Sequence, residues 1–136
     1  MKEADTITSL LSDNWISANT GGVTPIIDTI INRNNIDVRQ GDFILTYNTG
    51  AAPIVRAGSH GISRTWTISI DIRTLLKTRF DLYINEVTRI LFSKYYAPGS
   101  GYCLLYLVRD QDLSDRSRGM NRRVIDVALT MDNQVI

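Results

Sequence analysis

Histidine and cysteine each occur once in this chain, and their scarcity excludes most of the chemistry a small domain could carry. A Ser-His-Asp triad, a Cys-His pair or a multi-histidine metal site would have to be built around His60, which lies in the glycine-rich stretch Gly58-Ser59-His60-Gly61. Cys103 has no partner for an intrachain disulfide. Its place in the apolar run Tyr102–Val108 predicts a buried, protonated and inert thiol. Charge of one sign is lacking too: fifteen Lys plus Arg against fourteen Asp plus Glu leave a formal charge of +1, without the basic footprint of a dedicated nucleic-acid binder. No apolar stretch approaches the length of a bilayer span, and Met1-Lys2-Glu3-Ala4-Asp5 leads into no long apolar run of the kind found in signal peptides, so cytoplasmic synthesis is expected. No glycine-rich segment has phosphate-loop spacing, because the one at Gly58–Gly61 runs into a strand pattern where a helix N-terminus is needed. Internal repeats and low-complexity tracts are absent as well.

What remains is an ordinary globular composition, 43% hydrophobic and 21% charged, in a length that suits one domain over 1–136. Ile7, Leu10, Leu11 and Trp15 recur at helical spacing behind Asp5 or Thr6 as cap, predicting a helix that ends near Ile16. After the turn-rich link Ser17–Gly22, Pro25 opens the β-branched run Ile26–Ile31, which reads as a strand although its apolar pairs also fit a short helix. Phe43–Tyr47 is a compact strand signal, and Asn48–Gly61 reads as a long insertion of the kind that tends to be functional or flexible. Ser63–Arg73 alternates cleanly, with Trp66, Ile68, Ile70 and Ile72 on one face and Thr65, Thr67, Ser69 and Asp71 on the other. Phe80, Tyr83, Ile84, Val87, Ile90, Leu91 and Tyr95 mark a second amphipathic helix over Thr78–Tyr96. Tyr102–Arg109 and Arg123–Met131 close the chain as a hairpin whose connection, Asp110–Arg122, is charged. The expected fold is α+β: an antiparallel or mixed sheet of about five strands, two helices packed on one face, order α-β-β-β-α-β-β, with long protruding loops.

That order is shared with metal-dependent nucleases, whose carboxylates on neighbouring strands hold Mg²⁺. The nearest match here is Asp42 with Asp71-Ile72-Arg73, in which an arginine stands where a lysine is needed. It is shared also with small double-stranded-RNA or DNA binding domains, but the approach to the second helix, Arg73–Arg79, carries only scattered basic residues. Trp15, Trp66, Phe80, Tyr83 and Tyr95 occupy positions that periodicity assigns to the core, which removes the need for a base-stacking platform, while Tyr47, Tyr96 and Tyr106 could anchor an interface. The reading that results is a contact protein, without catalytic residues, cofactor or metal. Its candidate partner-facing residues are Arg56, His60 and Arg64 in and after the insertion, Thr65, Thr67, Ser69 and Asp71 on the polar strand face, and Asp112, Asp115, Arg116, Arg118 and Arg122 in the closing connection.

The opening helix Thr6–Trp15, the strand Gly41–Tyr47, the long loop into Ser63–Ile72, the helix Thr78–Tyr96 and the closing pair with Arg123-Val124-Ile125-Asp126-Val127 together resemble the tail terminator or tail-completion proteins of long-tailed bacteriophages and related archaeal viruses. The resemblance spans nearly the whole chain and rests on architecture, since that family has no catalytic motif. It implies a virion neck protein: a homo-oligomeric ring, commonly of six copies, that binds the last ring of tail tube protein, halts polymerisation and presents a docking surface to the head-tail connector. Non-specific contact with genome DNA in the lumen would accompany that position. In such a role the insertion Asn48–Gly61 and the hairpin tip Asp110–Arg122 are expected to be mobile in the free subunit and to order on docking.

Overall fold

The computed structural model describes residues 2–30, 41–49, 54–57, 61–99 and 101–134. Helix α1 spans Lys2–Asn14, one turn earlier than the spacing from Ile7 predicts. Ala4 is fully buried and extends the apolar stripe of Ile7, Leu10 and Leu11 toward the N-terminus, so Asp5 and Thr6 lie inside the helix and do not cap it. Glu3 and Asp5 instead place negative charge in the first turn, where the helix dipole favours it. The helix ends before Ile16 because the Asn14 amide donates to the Leu10 carbonyl at 2.8 Å and Trp15 turns away to rest against Tyr83, ring centroids 6.0 Å apart.

The remaining elements are β1 (Ile26–Thr29), β2 (Phe43–Asn48), β3 (Ile54–Ala57), β4 (Gly61–Thr74), α2 (Lys77–Ser93), β5 (Leu104–Asp112) and β6 (Asn121–Gln134). They form one six-stranded sheet of order β1-β2-β4-β6-β5, with β3 added beside β4. Pairing is antiparallel except between β1 and β2, which run parallel, so the sheet is mixed and the α+β expectation holds. The run at Ile26 is a strand, as its β-branched composition suggests. The insertion is not a plain loop: β3 pairs with Gly61–Arg64 of β4, while residues 50–53 and 58–60 lie outside the described residues. β4 and β6 pair over 14 residues each, on the order of 45 Å at strand rise. This ribbon is the spine of the molecule.

The core lies on one face of that spine. Ile44, Ile68, Ile70, Ile72, Leu105, Ile125, Val127 and Leu129 point toward Ala4, Ile7 and Leu11 of α1 and Phe80, Tyr83, Val87 and Ile90 of α2, forming one buried cluster. Period-two alternation in β4 and the three-to-four step in α2 therefore meet on the same plane. Trp15 and Trp66 pack at the rim of this cluster. Helix α2 stops at Ser93 and not at Tyr96, because the Lys94 N–H is shared between the Ile90 and Leu91 carbonyls and the Tyr95 carbonyl accepts from the Leu105 N–H at 2.8 Å. Tyr95 and Tyr96 follow in a turn that ties the end of α2 to the start of β5.

Candidate interaction surfaces

The face of the sheet turned away from the helices holds the expected polar row of β4, but not as a free surface. Register places Asp71 between Leu45 of β2 and Val124 of β6, and Ser69 between Tyr47 and Asp126. Asp71 is 0% exposed and accepts from two guanidinium groups at once, Arg73 (3.2 and 2.8 Å) and Arg122 (3.1 and 2.9 Å). Arg73 and Arg122 stand directly opposite each other across β4 and β6, a like-charge pair that is unfavourable unless bridged. Asp71 supplies the bridge, and this carboxylate holds the Arg122 guanidinium above its ordinary pKa. One step along, Ser69 donates to Asp126 at 2.5 Å and Arg109 of β5 reaches the other Asp126 oxygen at 3.1 Å. Thr65 and Thr67 are half-buried, Thr65 bonding Thr130 at 3.1 Å. Ser69 and Asp71 are thus structural partners of arginines in the same chain, correcting their assignment as partner-facing residues, and Arg122 belongs to β6 and this face, not to the hairpin tip.

Two further carboxylates tie the helix layer down. Asp42, just before β2, accepts from Thr74 Oγ1 at 2.6 Å, from Arg79 at 3.3 Å and from the Tyr83 hydroxyl. Burial, reinforced by that carboxylate, holds the Tyr83 hydroxyl above its usual pKa. Glu86, 2% exposed, accepts from the Ile16 N–H at 2.7 Å, Asn19 at 3.1 Å and Arg89 at 2.5 Å, fixing the α1–β1 connection against α2. Burial opposes its charge, but Arg89, then the Ile16 N–H and Asn19, outweigh burial and keep its carboxyl below the ordinary glutamate range. Asp42 faces α2 while Asp71 faces the opposite side of the sheet, so the two acids of the nuclease pattern do not converge. No group of three His, Cys, Asp or Glu among the described residues could hold a metal ion.

The remaining candidates are dispersed. Arg56 is in β3, opposite Ile62; His60 lies outside the described residues; Arg64 is half-buried on the core side of β4, opposite Met131. The hairpin tip is shorter and better built than its charged sequence suggests, since strand pairing continues to Asp112 and resumes at Asn121. Asp115 organises it by accepting from the Ser117 hydroxyl at 2.6 Å and from the Ser117 N–H at 3.1 Å, and these bonds, the hydroxyl foremost, lower its pKa. Gly119 turns the chain in the left-handed region at φ 66. Arg116 is in the short helical turn there, and Arg118 pairs with Asp115 at 3.6 Å in water. Asp112 holds the Ser114 N–H at 2.9 Å.

Sequence reasoning offers Tyr96 and Tyr106 as interface anchors but missed Phe92 and the apolar corner where α2 meets β5. Phe92 is 62% and Tyr96 81% exposed, and Leu107 and Val108 of β5 are exposed beside them. Leu91, Phe92, Tyr95, Leu105, Tyr106 and Leu107 line a small open depression. The helical period already marked Phe92 as lying off the core stripe, a signal that could have found it. Cys103 is exposed, contrary to the expectation of burial: β5 begins one residue later, and the thiol lies over the Thr130 carbonyl at 3.5 Å at the strand's outer end.

No family model and no curated protein matches the sequence. Among solved structures, the chain is similar to one from the structure described as "Virion of native gene transfer agent (GTA) particle", at 12% identity and a TM-score of 0.57, over 93% of this chain and 92% of that one. The likeness is one of fold, and it extends over nearly the whole length of both chains.

Proposed function

We propose that this chain is a structural subunit of a phage-like virion, acting as a tail terminator at the head-proximal end of the tail tube. The observation that carries the reading is the end-to-end fold likeness to a chain of a virion particle, 93% of one over 92% of the other. The sequence resemblance to tail-completion proteins supplies the finer assignment. In this role the subunit works by contact: copies form a ring, the ring caps the last layer of tail tube protein, and its opposite side receives the head-tail connector. The role is non-catalytic in this reading, which fits the commitment of Asp42, Asp71, Glu86 and Asp126 to structural bonds. Arg73, Arg109 and Arg122 are paired to carboxylates on the sheet's outer face, so contact with genome DNA in the lumen would be weak and non-specific. Particles assembled without the chain should show tubes of uncontrolled length and unjoined heads. Normal tubes joined to heads in its absence would refute the assignment.

A further inference from the structure

The link between α1 and β1 is bonded mainly to itself and is fastened to the rest of the molecule at one point. It contains the short 3-10 turn Ser17–Thr20, which Gly21 closes in the left-handed region at φ 68. The Asn19 N–H donates to the Ile16 carbonyl at 3.0 Å, the Gly22 N–H to Ser17 at 2.8 Å and the Val23 N–H to Thr20 at 3.3 Å. The Thr20 hydroxyl, 0% exposed, donates to the Val23 carbonyl at 2.6 Å and accepts from the Trp15 indole at 3.3 Å. All of these bonds have both ends within Trp15–Val23.

The fastening is of another kind. Among the described residues, every hydrogen bond from Ile16–Val23 to another helix or strand ends on Glu86 of α2, from the Ile16 N–H at 2.7 Å and from the Asn19 amide at 3.1 Å. Arg89, one turn further along α2, clamps that carboxylate and donates to the Asn14 carbonyl at 2.9 Å, pinning the end of α1 beside it. The link has no Asp, Glu, Lys, Arg or His of its own, so it carries no charge that could replace this tie. Ser17, Ala18, Asn19, Gly21 and Gly22 are exposed, whereas Glu86 beneath them is buried.

We propose that Trp15–Val23 is a strap that opens and closes over α2 as one unit, with Glu86 as its latch and the sheet intact beneath it. Proteins open locally in contiguous cooperative units, and a segment that is bonded internally and anchored at a single carboxylate has the make-up of one. Ile16 and Asn19 share that carboxylate, so its loss removes both ties together. Opening lifts the Trp15 ring off Tyr83, against which it rests in the closed state, and returns the buried Glu86 charge to water, which offsets part of the cost of the open state. Glu86 acts here as a positioning residue for the strap. The inference rests on the α1–β1 link alone and stands whether or not the chain belongs to a virion.

The test is native-state hydrogen exchange of the full chain at low denaturant concentrations, in the parent and in Glu86→Gln. In the parent, the Asn19, Gly22 and Val23 amides are expected to exchange through one common opening that low denaturant leaves unchanged, while the paired amides of Ile68–Ile72 exchange only through a denaturant-sensitive global opening. In Glu86→Gln all three strap amides should quicken together by about tenfold or more, the worth of a hydrogen bond to a charged group. Gly22 and Val23 decide the matter, because their bonds end inside the strap and a merely local loss at Glu86 would leave them as they were. An Asn19 amide that quickens while Gly22 and Val23 do not would overturn the proposal, and so would strap amides that share the denaturant dependence of β4. Should Glu86→Gln not fold, the denaturant dependence in the parent decides alone.

Discussion

The two faces of β4 are equally dry and chemically opposite. Ile68, Ile70 and Ile72 are fully buried beneath two helices, whereas Ser69 and Asp71, alternating with them, are buried on the face that those helices leave uncovered. One face excludes water with aliphatic side chains. On the other, arginine stems and their bonds to carboxylates line the sheet beside Leu45 and Val124. The lesson is that a polar residue on a strand does not imply solvent or a partner when long-range register delivers its hydrogen-bonding mate, as Asp126 is delivered to Ser69 and Arg122 to Asp71.

The largest expected break of this comparison comes from Asp71→Ala, which leaves Arg73 and Arg122 facing each other without their bridge. Chemical denaturation should show a loss of about 3 kcal/mol, the lower end for a broken buried pair, because both guanidinium groups still reach water. Replacing the triad together, Asp71→Leu with Arg73→Met and Arg122→Met, should recover most of that loss, as apolar substitutes for buried ion pairs usually do. A triple variant as unstable as Asp71→Ala would show that the outer face needs its charges.

Glu86→Gln should cost about 1.5–3 kcal/mol, the range for hydrogen bonds to a charged group, and should remove part of the acid sensitivity. The sign follows from its lowered pKa: the stabilisation is complete above the ordinary glutamate range and is lost as pH falls through the lower folded value. Parallel stability-pH curves for the parent and Glu86→Gln below pH 5 would contradict the assignment. Ile70→Val, on the aliphatic face one residue from Asp71, should cost about 0.5–1.5 kcal/mol by calorimetry. Smallest of all, Arg118→Ala at the hairpin tip should change stability by less than about 0.5 kcal/mol, since its pair with Asp115 is exposed.

The helix-facing half of this design was legible in the sequence, because period-two and helical repeats are local. Ile68-x-Ile70-x-Ile72 and the α2 stripe place themselves without knowledge of the fold. The outer face was not legible, because its content depends on Asp71 meeting Arg122, 51 residues away, and Asp126 meeting Ser69 across 57. Arg122 was read as part of a loop since nothing in Asp110–Arg122 marks where strand pairing stops. β3 escaped notice because four residues set among Gly and Pro carry no period. Tyr96 and Tyr106 were legible as interface anchors, whereas Phe92 was not, since only the end of α2 at Ser93 shows where that part of the helix points.

What is proposed for this chain is a fixed place at the junction of tail and head. Immunogold electron microscopy of intact particles tests it directly: the account predicts a single focus of label at the head-proximal end of each tail. Label spread over capsids, or a chain absent from purified particles, would contradict it.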